Sequence, residues 1–403
     1  MSGLLLVVLV NFIGVGALIP VLPYAVLDEA GADEVVMAAL LASFAFAMFV
    51  GAPVLGRLSD YIGRRRVLIG SVLLAAVGHC WFAFTSDITV MFLARLLAGF
   101  GSGNIGVIQA IITDTTDDAG RARAMGLLGA CVGLGFVAGP ALGGLLSGAG
   151  GMVHTAPFLL AAGLSVVGFL LTLFQVRETA PAQSAETVSS GKFLRRLQGL
   201  FASGFGLFAL ANFFLNLSFA QIEASYILVL KEVLGYSSFQ TGWVFTWIGV
   251  LIIIVQGMLI GPVTRRLTDI RTATAGSALL MIGQFLSMVM IGSGFLLFGE
   301  PLFGLLVSTS CVCIGFAFTN PTLVSAASKQ ARHGAVGGQL GIVQGFGSLG
   351  QVFGLAVAGP LYAYGGGGLN FMVGGCLSFI LFGLFIWICR IVSPSISTAE
   401  HHH

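Results

Sequence analysis

VVMAALLASFAFAMFVGAPVL (Val35–Leu55), GRLSDYIGRRR (Gly56–Arg66) and VLIGSVLLAAVGHCWFAFTS (Val67–Ser86) follow one another without interruption. Each flank is a run of about 20 mostly apolar residues, the length a helix rising about 1.5 Å per residue needs to cross the hydrocarbon core of a bilayer. The segment between them carries Arg57, Arg64, Arg65 and Arg66 with Asp60, too polar to enter lipid and too short to fold alone. The stretch therefore reads as two membrane helices joined by a charged turn.

The rest of the chain repeats that alternation. Of 403 residues 57% are hydrophobic and only 8% charged, whereas soluble domains carry about 25% charged residues. A water-facing surface cannot be built from so few charges, so an ordinary soluble protein is excluded. Apolar runs at 4–25, 35–55, 67–86, 89–112, 124–147, 154–176, 203–229, 239–260, 272–297, 301–322, 337–361 and 368–390 predict twelve spans, hence an all-α membrane protein with both termini on one side. With the termini cytoplasmic, all but Lys231 and Arg95 of the 18 basic residues fall in inner loops, the distribution expected at the inner membrane of a cell. The first outer loop is acidic, with Asp28, Glu29, Asp33 and Glu34.

The longest polar stretch divides the spans six and six, giving an N-terminal bundle (1–176), a cytoplasmic linker (177–202), a C-terminal bundle (203–392) and a tail (393–403) whose final histidines read as a tag remnant. The halves echo each other. Gly56-Arg-Leu-Ser-Asp60 through Gly70-Ser71 matches Gly261-Pro-Val-Thr-Arg265 through Gly276-Ser277, an offset near 205, with Arg265 standing for Asp60 and Thr268 for Gly63. Two six-helix pseudo-repeats predict a substrate cavity between the halves near the bilayer midplane, as alternating access requires.

The loop Gly56-Arg-Leu-Ser-Asp60-Tyr-Ile-Gly63-Arg64-Arg65-Arg66 resembles the signature loop of the major facilitator superfamily. Leu93-Ala-Arg95-Leu-Leu-Ala-Gly99-Phe-Gly101 is similar to its second motif, with Ala98 where Gln is usual, and Gly135-Phe-Val-Ala-Gly139-Pro140-Ala-Leu-Gly143-Gly144 to the motif of its antiporter branch. Gly14-Val-Gly16 and Pro20-Val-Leu-Pro23 resemble the first span of drug:proton antiporters of the tetracycline efflux type, except that Asn11 stands where that branch often has an acid. The resemblance implies a monomeric, proton-coupled secondary transporter exporting a small amphiphilic or cationic drug-like compound, with Asp60, Arg64 and Asp114 as a charge relay closing the inner end. A facilitator or proton-coupled transporter of a metabolite, sugar or lipid-like anion is the alternative, since Asn11 cannot titrate and Arg95 attracts negative charge.

Glu223 is the candidate proton carrier, because a carboxylate within a span costs about 2.5 to 3.5 kcal/mol on insertion scales and is normally kept for function. Asn212, Asn216 and Glu223 share one face of the seventh span at helical spacing. Arg95, the one basic residue inside a span, is the candidate modulator of coupling, and its depth matches that of Glu223, which predicts a pair closing the outer side. Gly135, Gly139, Pro140, Gly143 and Gly144 are spaced for close helix packing or a hinge opposing leak. Candidate cavity residues are Asn11, Gln109, Asn212, Asn216, Trp243, Trp247, Gln344 and Gln351.

The six cysteines lie inside apolar runs, so neither a disulfide framework nor a thiolate metal site is expected. No phosphate-cradling loop, metal spacing or nucleophile-and-base set is legible, so an enzyme, a cofactor and ATP-driven transport are not expected. The formal net charge of +2 is scattered, which argues against a nucleic-acid partner.

Overall fold

A computed structural model describes residues 2–116, 118–148, 152–179, 205–292, 301–330 and 336–397, with side chains for all of these but 118–123, 292, 301, 302, 336–338 and 392–397. Most of the expected linker and the terminal histidines therefore lie outside the described residues, as do the side chains of Arg121 and Arg123. The elements are α1 (Ser2–Leu18), α2 (Glu34–Ile62), α3 (Arg64–Ala83), α4 (Ile88–Ser102), α5 (Ile105–Thr115), α6 (Asp118–Leu146), α7 (Thr155–Gln175), α8 (Gly206–Leu228), α9 (Ser238–Ile254), α10 (Ile260–Arg266), α11 (Asp269–Gly292), α12 (Pro301–Gln330) and α13 (Val336–Ser397). Short π-helical segments occupy Tyr24–Glu29, Val229–Val233 and Val255–Leu259. Among the described residues ten helices are long and apolar enough to cross a membrane, and Ser2–Leu18 is a shorter apolar helix. This is a multi-pass, all-helical membrane protein.

Three junctions explain why helix labels and spans differ, the simplest being the π-helical segment Val255–Leu259, which divides the single apolar stretch Ser238–Arg266 into α9 and α10. α4 and α5 are one apolar stretch interrupted at Gly103–Asn104, where Asn104 Nδ2 donates to Ser71 Oγ at 3.0 Å. α13 is 62 residues long, about three times what a bilayer core requires. It is broken at Gly366 (φ 65°, ψ −172°), a backbone region open to glycine, so the label covers two helical arms.

The residues fall into two compact units, Met1–Glu186 with Tyr226–Ile253, and Thr187–Ser225 with Ile254–His403. In the first, α1 packs against α6 and α7, and α3 against α4 and α7. Leu4, Val8, Leu68, Val72, Ile108 and Ile112 belong to its buried core. Close approach comes from small residues: a Cβ on Gly78 would lie 2.6 Å from the Ala98 nitrogen, and one on Gly101 would lie 2.5 Å from the Ser71 carbonyl.

In the second unit α11 packs against α12 and α13. A polar seam joins Ser218, Gln284 and Ser378, with Ser218 Oγ donating to the Gly374 carbonyl at 3.0 Å and Gln284 Nε2 donating to Ser218 Oγ at 2.9 Å. All three side chains are buried, and lipid offers no substitute partners, so each polar group is answered within the bundle.

Local geometry recurs at the offset seen in the sequence. After Tyr24–Glu29, the amides of Ala30 and Ala32 reach back to the Ala25 and Val26 carbonyls around Gly31 (φ 65°). After Val229–Val233, Leu234 and Tyr236 do the same to Val229 and Leu230 around Gly235 (φ 65°). A cap then opens the next helix each time: Asp33 accepts from the Val36 amide at 2.8 Å, while Ser237 and Gln240 form a reciprocal capping box.

Candidate functional site

At the arginine-rich end of the first unit the turn between α2 and α3 is set by Gly63, whose φ of 104° and ψ of 140° favour glycine. That turn brings Arg64, the first residue of α3, onto two acids: Asp60 at 3.6 Å, one turn back on α2, and Asp114 at 2.5 Å, on α5. The three residues picked from the sequence as a relay are thus one cluster, mostly shielded from solvent. A fourth charged group joins them. Glu178, just beyond α7, accepts from the Arg65 amide at 3.0 Å, and the Arg65 guanidinium donates to the Leu173 carbonyl. Helix N-terminal amides favour an anion, and here a carboxylate arriving from α7 supplies it, beside a helix whose first residue is a cation. Gly56 stands in open space, with nothing near enough to meet a Cβ.

The glycines of α6 seat that helix between two others. On one face a Cβ at Gly135 would lie 2.5 Å from Phe12 Cβ and one at Gly139 would lie 2.7 Å from the Ile13 carbonyl, while Gly143 abuts the Ala17 carbonyl, all on α1. On another face Gly144 meets Ser238 and Gly242 of α9, and a Cβ on Gly242 would lie 2.6 Å from the Pro140 carbonyl. These glycines therefore bring α6 close to α1 and α9. Asn11 is half-buried on α1, its Oδ1 3.6 Å from the place a Cβ on Gly168 of α7 would occupy.

Arg95 is buried at 6% exposure on α4, with its guanidinium carbon 4.2 Å from the centroid of the Phe44 ring. A cation held over an aromatic face gains electrostatic attraction that grows as water is removed. Gln109 on α5 is exposed, as are Trp243 and Trp247 on α9.

In the second unit the polar face of α8 meets α13. Asn212 is buried and its Nδ2 donates to the Val343 carbonyl at 2.8 Å, and Asn216 Nδ2 donates back to the Asn212 carbonyl at 2.9 Å. Gln351 Nε2 donates to Glu223 Oε2 at 3.2 Å. Gly347, Gly350 and Gly354 of α13 let the helices approach, since a Cβ at each would strike α8. Asn212, Asn216, Glu223 and Gln351 are thus gathered along one helix pair, whereas Gln344 is exposed. Arg95 belongs to the first unit and Glu223 to the second.

Sequence reasoning passed over a clasp within the first unit. Tyr24 Oη donates to the Tyr236 carbonyl at 2.5 Å and lies 3.1 Å from Thr241 Oγ1, and Lys231 Nζ is 2.6 Å from Asp28 Oδ1 and 5.4 Å from the Tyr24 ring centroid. Glu29 pairs with buried His154, whose other ring nitrogen faces the Thr85 carbonyl at 3.1 Å. A signal for the clasp was present: Lys231 is the one basic residue in the loops expected to lie outside, and the first of those loops is acidic.

A family model described as Major Facilitator Superfamily matches residues 4–337. The chain is 31% identical over 383 residues to the tetracycline resistance protein, class C, of Escherichia coli, covering 92% of this chain and 92% of that protein. It is 25% identical over 366 residues to multidrug resistance protein 2 of Bacillus subtilis (strain 168), covering 88% of this chain and 86% of the other. Among solved structures it is similar to a D-xylose-proton symporter, with a TM-score of 0.79 at 14% identity over 95% of this chain and 96% of that one, a likeness of fold alone.

Proposed function

The chain belongs to the major facilitator superfamily, and on that premise we propose that it is a secondary transporter that exports small amphiphilic or cationic drug-like compounds in exchange for protons by alternating access. The relatives named for tetracycline and multidrug resistance support the substrate class. Counting the two arms of α13 separately and adding α1 to the long helices gives the twelve spans expected of two six-helix repeats. The basic loops orient both termini to the cytoplasm of a bacterial cell. The protein works as a monomer in the inner membrane.

The observation that carries the coupling is Glu223 on α8, a carboxylate in a membrane helix whose Oε2 takes a hydrogen bond from Gln351 on α13. A carboxyl in such a place is retained for a proton or substrate pathway. Protonation of Glu223 changes what Gln351 can donate to and so biases the seam between α8 and α13. Arg95 modulates coupling, and the Asp60, Arg64 and Asp114 cluster holds the cytoplasmic end until substrate or proton occupancy changes. Asn11, Gln109, Asn216, Trp243, Trp247, Gln344 and the more buried Asn212 serve the substrate path.

Everted membrane vesicles test this reading, with tetracycline as the probe. Respiration-driven accumulation that collapses when the pH gradient is dissipated is the expected result. No accumulation of tetracycline, or of any other cationic amphiphile tried, would overturn drug efflux. The neutral Asn11 and the buried Arg95 favour one second reading, a carrier of a metabolite, sugar or lipid-like anion. Under it an anionic or neutral solute moves and tetracycline does not.

A further inference from the structure

The second copy of the charged loop has lost its signature residues, with Arg265 in place of Asp60 and Thr268 in place of Gly63. Its helix nevertheless starts at the equivalent place: α3 begins at Arg64 after Gly63, and α11 begins at Asp269 after Thr268. Thr268 opens α11, its carbonyl accepting from the Thr272 amide at 2.9 Å, as the Gly63 carbonyl accepts from Val67 at 3.3 Å.

The first residue of each helix reaches the end of the following span. In the first unit Arg64 of α3 meets Asp114 of α5 at 2.5 Å. In the second, Asp269 of α11 meets Lys329 of α12 at 2.6 Å, and Ser325, one turn before Lys329, donates to the same carboxylate oxygen at 2.7 Å. The connection is the same and the charges are exchanged. The exchange has a local reason, because a carboxylate at a helix N-terminus is favoured by the helix-end amides. In α11 Asp269 itself supplies that anion, whereas α3 starts with a cation and takes its anion from Glu178.

We propose that Asp269, Lys329 and Ser325 form a second latch, the polarity-reversed counterpart of Arg64 and Asp114, which holds the cytoplasmic ends of α11 and α12 together and is released and remade in each transport cycle. The inference rests on the transporter reading above. Its residues are positioning residues, acting on helix ends and not on substrate. The asymmetry in exposure suits a reversible contact: Asp269 is held at 11% side-chain exposure by two donors, while Lys329, at 69%, can swing into water.

The test is a charge-reversal cycle on the full chain in proteoliposomes: Asp269→Lys, Lys329→Asp and the double variant. Two quantities are read, hydrogen exchange of residues 269–275 and 325–330 without substrate, and the kcat and KM of tetracycline transport. Asp269→Lys alone is expected to lower kcat about tenfold, with KM within about twofold, and to speed exchange at both helix ends. The double variant is expected to recover most of both losses, since it restores the pair in the polarity of the first unit. A double variant no better than Asp269→Lys in exchange and in kcat would overturn the latch. If Asp269→Lys fails to insert, Asp269→Asn and Lys329→Gln carry the same cycle: each single variant and the double are expected to lose alike, and additive losses would refute the pairing. If the wild type moves no substrate, the efflux reading falls, and the exchange rescue still decides whether the two residues act as a pair.

Discussion

Gly63→Ala isolates what the tight turn between α2 and α3 contributes. The methyl group would lie 2.7 Å from Glu178 Oε2 and 2.8 Å from its carboxyl carbon, closer than such atoms can stand. The backbone at φ 104° would also become strained, at about 1–3 kcal/mol for a residue outside its allowed regions. Glu178 is exposed and able to swing aside, which removes its hydrogen bond to the Arg65 amide. That bond resembles a helix cap, worth about 0.5–1 kcal/mol at an exposed position. The expected cost of Gly63→Ala is therefore about 1.5–4 kcal/mol. Glu178→Ala alone should cost only the cap. Because the alanine has already expelled the carboxylate, adding Glu178→Ala to Gly63→Ala should cost almost nothing, a coupling of about 0.5–1 kcal/mol between the two sites. Reversible unfolding by SDS in mixed micelles, followed by circular dichroism, measures all three variants. Strictly additive costs, or a Gly63→Ala protein within about 0.5 kcal/mol of wild type, would refute the turn geometry and the role given to Glu178.

Asp60→Asn should abolish transport while leaving insertion and the unfolding midpoint nearly unchanged, since Asp60 is only half-buried, stands at 3.6 Å from Arg64, and leaves that guanidinium its closer partner Asp114; vesicle uptake and SDS unfolding on one preparation check both halves of that statement. Gly139→Ala places a methyl 2.7 Å from the Ile13 carbonyl and should destabilise by about 1–3 kcal/mol. Gly129→Ala on the same helix, where a Cβ meets nothing within 4 Å, should stay within about 0.5 kcal/mol, so equal effects would contradict the seating of α6 against α1. Tyr24→Phe keeps the ring beside Lys231 but deletes the hydroxyl bonded to the Tyr236 carbonyl, with an expected loss of about 0.5–1.5 kcal/mol in the same unfolding assay.

The membrane hairpins were legible because lipid imposes a simple rule on sequence, a long apolar run between polar turns, and the stretch from Val35 to Ser86 states it openly. The grouping of Asp60, Arg64 and Asp114 came from the resemblance of the loop to the superfamily's signature, because charge and hydropathy alone do not tie Asp114 to a turn so far back in the chain. Glu178 was not legible. It lies more than a hundred residues from the turn it caps, and nothing in the local pattern links them. The Asp269 and Lys329 pair escaped for another reason: the loop kept the position of its ion pair and exchanged the residue types, so a comparison by residue identity registered only decay. The π-helical ends at Tyr24–Glu29 and Val229–Val233 leave no hydropathy signal, yet they place Tyr24 and Lys231 where the clasp forms. Helical spacing aligns Asn212, Asn216 and Glu223 on one side of a helix. Burial of Asn212 against the Val343 carbonyl could not be read, because helical spacing tells which residues align and not which neighbour covers them.

Proton movement in proteoliposomes under an imposed pH gradient, for wild type and Glu223→Gln, tests the account most directly. Cationic, neutral and anionic amphiphiles are added in turn. Substrate-dependent proton efflux in the wild type that disappears in Glu223→Gln, while substrate binding persists, is the predicted result. Substrate movement without proton flux, or proton flux unchanged in Glu223→Gln, would contradict the assignment of coupling to α8.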